Sequence, residues 1–188
     1  LPGRMQILPG MPSIVLDVAH NPHAAGALGQ GLDAMPSVPA THAVIGMYAD
    51  KDVEGVVKLM ASRITHWHCT TLGGPRGLSG EKLAEIVRKV LAERIPRGAA
   101  ALVTDSPDAA SIVLPAEPSA SSGSGGPGVR PMPKATPRPR EVHVSVWPDP
   151  VTAFKEARKQ VTVNDRIVVF GSFSTVGPIL QDLGREAF

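Results

Sequence analysis

Five short apolar runs, each followed by a stretch of helical periodicity, recur along the chain, and this alternation leaves few folds open. The runs are Ile14–Leu16, Thr41–Gly46, Thr65–Thr71, Val142–Val146 and Arg166–Phe170. They are too short for helices, so they read as buried strands. The stretches Pro22–Met35, Val53–Arg63, Gly80–Arg94, Asp149–Val161 and Thr175–Leu183 read as helices. That rhythm predicts an α/β fold, a mostly parallel sheet with helices on its faces. The helix over 80–94 is the clearest, with Leu83, Ile86, Val87, Val90 and Leu91 in one apolar stripe and Ser79 as its N-cap. The first helix carries Gly26, Gly29 and Gly31, each costing about 1 kcal/mol relative to Ala. It needs tertiary support, with Ala24, Leu28, Leu32 and Met35 lying on the sheet. Its glycines either permit close approach or face solvent.

With 188 residues, 43% of them hydrophobic, the chain can bury one sizeable core. It is expected to form a single domain over 1–188. No apolar run approaches the roughly 20 residues of a membrane span, and no charged segment precedes a signal-like stretch. The expectation is a monomeric cytoplasmic protein with no membrane partner. Cys69 is the only cysteine, so no intrachain disulfide forms. It follows His66-Trp67-His68, which sets two imidazoles on one face of a strand; the further partners a zinc site needs are not found there, and no metal is expected. The net charge of +2 is too mild to imply nucleic acid. Arg130, Lys134, Arg138 and Arg140 cluster among prolines with no interleaved aromatic, which reads as a solvated linker. Over 106–140 the composition shifts to Pro, Ser, Gly and Ala, predicting a flexible insertion. Ala99–Val103 and Ser111–Leu114, near its start, have the makings of short strands or turns.

Polar residues gather where the strands end. Asp17-Val18-Ala19-His20-Asn21-Pro22-His23 joins the first run to the first helix, with Pro22 suited to the opening turn. Strand carboxyl ends are where α/β sheets bind ligands. Gly46-Met47-Tyr48-Ala49-Asp50-Lys51-Asp52 follows the second run. Gly73-Gly74-Pro75-Arg76-Gly77-Leu78-Ser79-Gly80 precedes the third helix and has the look of an anion nest. Gly171-Ser172-Phe173-Ser174-Thr175 joins the last strand to the last helix.

The string Leu16-Asp17-Val18-Ala19-His20-Asn21-Pro22-His23-Ala24 closely resembles the start of the C-terminal domain of folylpolyglutamate synthase/dihydrofolate synthase, relatives of the Mur peptide ligases. Leu1-Pro2-Gly3-Arg4-Met5-Gln6, the 46–52 segment and Val169-Phe170-Gly171-Ser172-Phe173-Ser174-Thr175-Val176 resemble that family in the same order. The resemblance implies a Rossmann-like domain of the Mur ligase C-terminal type, with helices on both faces of the sheet. It also implies an ATP-dependent ligase that phosphorylates a pteroate or folate carboxylate and lets L-glutamate attack the acyl phosphate. No G-x-x-x-x-G-K-[ST] occurs in the sequence, so the phosphate loop is expected on an N-terminal ATPase domain that this chain lacks. The chain begins with Leu at a family motif, which reads as an excised C-terminal domain, inactive alone. Magnesium is expected to enter with ATP, held mainly by the missing domain. A Mur-type peptidoglycan ligase is the near alternative, and a stand-alone nucleotide- or anion-binding module the distant one. No Asp-Asn-Pro-Arg element of the Mur enzymes is present.

The resemblance gives Arg4, Asp17 and His20 a nucleotide-binding role. Arg4 can fork to phosphate oxygens, Asp17 can accept from a ribose hydroxyl or fix His20, and His20 can donate to phosphate. Asn21 binds substrate or caps its helix, and His23 is expected to face solvent. Asp50, Lys51 and Asp52 meet substrate, metal or the other domain, unless Asp50 or Asp52 caps the next helix. Arg76 is a candidate at the domain interface. Ser172 or Ser174 binds the glutamate carboxylate, with capping by Ser174 or Thr175 as the alternative. No nucleophilic triad is present, and the catalytic duty is positioning and charge stabilisation.

Overall fold

A computed structural model describes residues 4–94, 103–106, 109–114 and 140–186. In chain order the elements are β1 (Gln6–Leu8), β2 (Ser13–Leu16), α1 (Pro22–Ala34), β3 (Thr41–Ile45), α2 (Val53–Met60), β4 (His66–Thr70), α3 (Gly80–Glu93), β5 (Val103–Ser106), β6 (Ala109–Leu114), β7 (Arg140–Trp147), α4 (Pro150–Gln160), β8 (Arg166–Phe170) and α5 (Phe173–Glu186). They build one sheet in the order β1-β2-β8-β3-β4-β7-β6-β5. The five strands from β2 to β7 run parallel, and β1, β6 and β5 add antiparallel margins.

Strands β2, β8 and β3 are largely apolar on both sides because both sides are covered, whereas β4 and β7 carry His66, His68, His143 and Ser145 on the α4 side. Val15, Ala43, Ile45, Trp67, Cys69, Val168 and Phe170 meet the buried faces of α1, α2 and α3. Leu16, Val44, Ile167 and Val169 point the other way, onto Phe154 and Ala157 of α4 and Val176 and Ile179 of α5. The expected α/β architecture, with helices on both faces, is therefore the observed one. All five residues of β8, which lies between β2 and β3, are buried.

Caps set most helix starts. Ser79 accepts from Lys82 N, Asp52 from Gly55 N and Asp149 from Thr152 N. Two of the glycines in α1 are contact points. A Cβ at Gly31 would come within 2.9 Å of Met5 Cε, and one at Gly29 within 3.0 Å of Arg63 Cζ, whereas Gly26 faces open space.

Several boundaries differ from the sequence reading. Helix α5 begins at Phe173, ahead of Thr175, because Ser172 supplies its cap. Helix α2 ends at Met60, short of Arg63. Strand β1 has no signature in the sequence, being a three-residue margin held by pairing such as Gln6↔Leu16. Within the 106–140 stretch, Ala109–Leu114 forms β6 and pairs antiparallel with β5 and β7, with Leu114 opposite Arg140. Residues 115–139, where most of the expected insertion falls, lie outside the described residues. No described helix is long and apolar enough to cross a membrane.

Candidate functional site

The parallel strands β2, β8, β3 and β4 place four connections on one edge of the sheet. The β2–α1 connection is built on Asp17, whose carboxylate accepts from Ala19 N at 2.7 Å and from Met5 N at 2.8 Å. The second bond ties the chain before β1 to the end of β2. Met5 has φ 43°, the one non-glycine residue with positive φ among those described, so Asp17 holds a strained backbone in place. Arg4, next to it, is exposed.

His20 is exposed as well, and its Nδ1 lies 2.9 Å from the carbonyl of Val18. A carbonyl only accepts, so Nδ1 carries the proton and Nε2 is left for a ligand. Neutral, Nε2 accepts from a hydroxyl; protonated, it donates to an oxyanion. Asn21 is the N-cap of α1, accepting from Ala24 N at 2.9 Å. Arg4, Asp17, His20, Asn21 and the exposed His23 line one cleft of about 470 Å³ together with apolar residues that include Met5, Val18, Ala24, Ala27 and Leu28. A lining that mixes a guanidinium, imidazoles and apolar carbon suits a molecule with a phosphate end and a flat, less polar end.

The β3–α2 connection divides its three charged residues. Asp52 caps α2. Asp50 and Lys51 form an exposed ion pair at 3.3 Å, and the ammonium holds the Asp50 carboxyl below its ordinary range. Three amides of the glycine-rich connection after β4 are committed to neighbouring acceptors. Gly77 N donates to Gly74 O, Leu78 N to Met47 O and Gly80 N to the Thr71 hydroxyl. These three amides are therefore not available to an anion. Gly77 is required by close approach, since a Cβ there would lie 1.9 Å from Leu72 O.

The β8–α5 connection is tightly packed. Gly171 adopts φ 115°, and a Cβ on it would sit 2.3 Å from Gly46 O. Ser172 is buried; its Oγ accepts from Thr175 N and pairs with Thr175 Oγ1, which itself donates to Gly46 O at 2.8 Å. The helix cap is thus Ser172, and neither Ser174 nor Thr175, the two residues offered as alternative caps, takes that place. Ser174 is half-buried and meets Tyr48 Oη at 2.5 Å, and the Arg76 guanidinium lies over the Tyr48 ring, 5.3 Å from its centroid. Tyr48 was missed as a site residue, because an aromatic side chain after a strand looks like core filling. Phe173, beside it, is 75% exposed.

A second polar cluster lies away from this edge, on the face covered by α4. Register places His42, His66 and His143 side by side on β3, β4 and β7, and their rings stack at 4.0 and 4.5 Å. His68 reaches His42 with 3.2 Å between their ring nitrogens and is also met by Trp147 Nε1 and Ser145 Oγ. Burial pushes His42 and His66 down to about 4 and His68 down to about 3. Cys69 points to the opposite face, where burial pushes its thiol up to about 12. Among the described residues no group of three His, Cys, Asp or Glu is arranged to hold a metal ion.

Comparison with known proteins agrees with this layout. Residues 3–119 match the family model of the Mur ligase, glutamate ligase domain. The dihydrofolate synthase/folylpolyglutamate synthase of Escherichia coli K12 is 46% identical over 85 residues, covering 45% of this chain and 20% of that protein. The enzyme of the same name from Mycobacterium tuberculosis H37Rv is 34% identical over 83 residues, covering 44% of this chain and 17% of its own length. Among solved structures, Escherichia coli FolC in complex with DHPP and ADP superposes with a TM-score of 0.69 at 26% identity, covering all of this chain and 32% of that one. A bifunctional folylpolyglutamate synthase/dihydrofolate synthase with Mn, AMPPNP and L-glutamate bound gives 0.66 at 28% identity, covering 98% and 32%. The chain therefore spans about a fifth of the curated relatives and about a third of the solved chains.

Proposed function

The chain belongs to the family of the Mur ligase, glutamate ligase domain, and from that premise we propose that it serves as the C-terminal domain of an ATP-dependent ligase adding L-glutamate to dihydropteroate or folate. In that reaction ATP phosphorylates the pteroate or folate carboxylate, and the glutamate amine then displaces phosphate from the acyl phosphate. The observation that carries the reading is the β2–α1 cleft, where Asp17 is committed to the backbone while Arg4 and His20 stand exposed. Arg4 offers a charge-assisted fork to phosphate oxygens. His20 offers Nε2, and Asp17 fixes the backbone beside them both. The apolar wall of Val18, Ala24, Ala27 and Leu28 receives the less polar part of the nucleotide.

The described residues do not make a magnesium cage. The sequence also has no phosphate loop of the G-x-x-x-x-G-K-[ST] kind. Both duties fall to an N-terminal ATPase domain of the same polypeptide, across a cleft in which Asp50, Lys51 and Arg76 face it. Ser174, whose hydroxyl is half-buried and not needed as the cap, is the better of the two serines for the glutamate carboxylate. Asn21 combines its cap with a place in the cleft wall.

The test is to compare the isolated chain with the full-length ligase. The chain alone should fold and release no ADP in the presence of magnesium and ATP, whereas the full-length enzyme should add glutamate to dihydropteroate or folate. ADP release by the pure chain, or full-length turnover confined to a peptidoglycan precursor, would overturn the reading.

A further inference from the structure

Tyr48 touches both neighbouring loops at the carboxyl edge. Its ring carries the Arg76 guanidinium, its backbone is bridged to Gly77, and its hydroxyl lies 2.5 Å from Ser174 Oγ on the first turn of α5. Ala49 N donates to Arg76 O at 2.9 Å, which fixes the Arg76 loop to the residue after the tyrosine. The helix start does not need Ser174, because Ser172 caps α5 and is itself held by Thr175. The Ser174 hydroxyl is therefore free of capping duty and meets Tyr48 instead.

We propose that Tyr48 is a positioning residue for the amino-acid substrate, aiming Ser174 and Arg76 at one carboxylate; this rests on the ligase reading above. Two hydroxyls in contact share one proton and leave one to give away. Either hydroxyl can be the donor of this bond, and in the arrangement in which the phenol donates to Ser174 Oγ the serine proton is directed outward. The guanidinium held over the ring face supplies a second donor and the positive charge. Neither group alone fixes a flexible dicarboxylic amino acid. Together, held by one rigid aromatic side chain, they fix one of its carboxylates.

Tyr48→Phe removes only the hydroxyl and keeps the ring under Arg76. In the full-length ligase it should raise KM for L-glutamate about three- to tenfold, the worth of one neutral hydrogen bond, and leave kcat/KM for ATP unchanged. Ser174→Ala should do the same. The double variant should be no worse than either single one, because both remove the same interaction. An unchanged glutamate KM in Tyr48→Phe, multiplying effects in the double variant, or equal losses toward ATP and glutamate would overturn the proposal. A wild-type enzyme that makes no glutamyl product would overturn the ligase reading with it.

Discussion

The β2–α1 and β8–α5 connections share a recipe, a buried parallel strand running through a tight polar turn into a helix, and put it to different uses. At β8–α5, Gly171, Ser172 and Thr175 are buried, and the two hydroxyls are spent on each other, on Thr175 N and on Gly46 O. At β2–α1, Asp17 and Asn21 tie down the backbone, but Arg4, His20 and His23 remain exposed around a cleft. The difference teaches that polar residues at a strand end divide into those that hold the turn and those that reach beyond it. Residue type does not decide which; the hydrogen-bond partners do.

The closed connection should break hardest. Gly171→Ala puts a Cβ against Gly46 O at a φ that L-residues avoid, and it should cost about 3 kcal/mol or more. Urea unfolding beside the wild type measures it. A loss below 1 kcal/mol, read against the ~0.5 kcal/mol ordinary for surface changes, would show that the turn relaxes and is not the rigid member of the pair.

Acid should act on the sheet that carries both turns. His42, His66 and His68 face one another and His143 across β3, β4 and β7, with Asp165 opposing the downward shift of the first two and Glu141 3.9 Å from His143. The unfolded chain binds protons at these three rings near pH 6.5, while the folded chain binds them only near pH 4 and 3. Below about pH 6.5 the unfolded state therefore holds more protons, and stability should fall steadily toward pH 4; above it these rings add no slope. Melting temperature against pH checks this. His42→Asn combined with His68→Gln should flatten the curve, and a curve of unaltered slope would contradict it.

Asp17 stands between the two kinds of residue. Asp17→Ala strips the acceptor from Met5 N and Ala19 N, so it should lower stability by about 1–3 kcal/mol as well as reduce turnover. Full stability in that variant, by the same urea titration, would move Asp17 into the group that serves ligand alone.

Much of this was legible in the sequence, for reasons that can be named. The stripe of Leu83, Val87, Val90 and Leu91 and the Ser79 cap announced α3, and the apolar runs announced the parallel strands, most plainly β2, β3 and β8, where burial on both faces removes most polar alternation. The short margin β1 was not legible, since three residues held by pairing carry no periodicity. Neither was the imidazole column, which exists only once register sets His42, His66 and His143 side by side. At the site, the strand-end residues could be found but not sorted. Asp17 and His20 sit three positions apart, and only coordinates show one bonded to two amides and the other exposed. Tyr48 gave no signal, because its role depends on Ser174, which lies far along the chain.

The most direct test of the central claim is to measure kcat/KM for ATP and melting temperature together for Arg4→Ala and His20→Ala in the full-length ligase. Both residues are exposed, so stability should change by less than about 0.5 kcal/mol. Each loses a charge-assisted bond to the nucleotide, so kcat/KM should fall about ten- to hundredfold. Variants that melt several degrees lower (~2–4 °C would mean about 1 kcal/mol in a domain of ~150–250 residues) while keeping near-normal kcat/KM would contradict it. In that case Arg4 and His20 would belong with the residues that hold the turn, and the β2–α1 cleft would not be where the nucleotide sits.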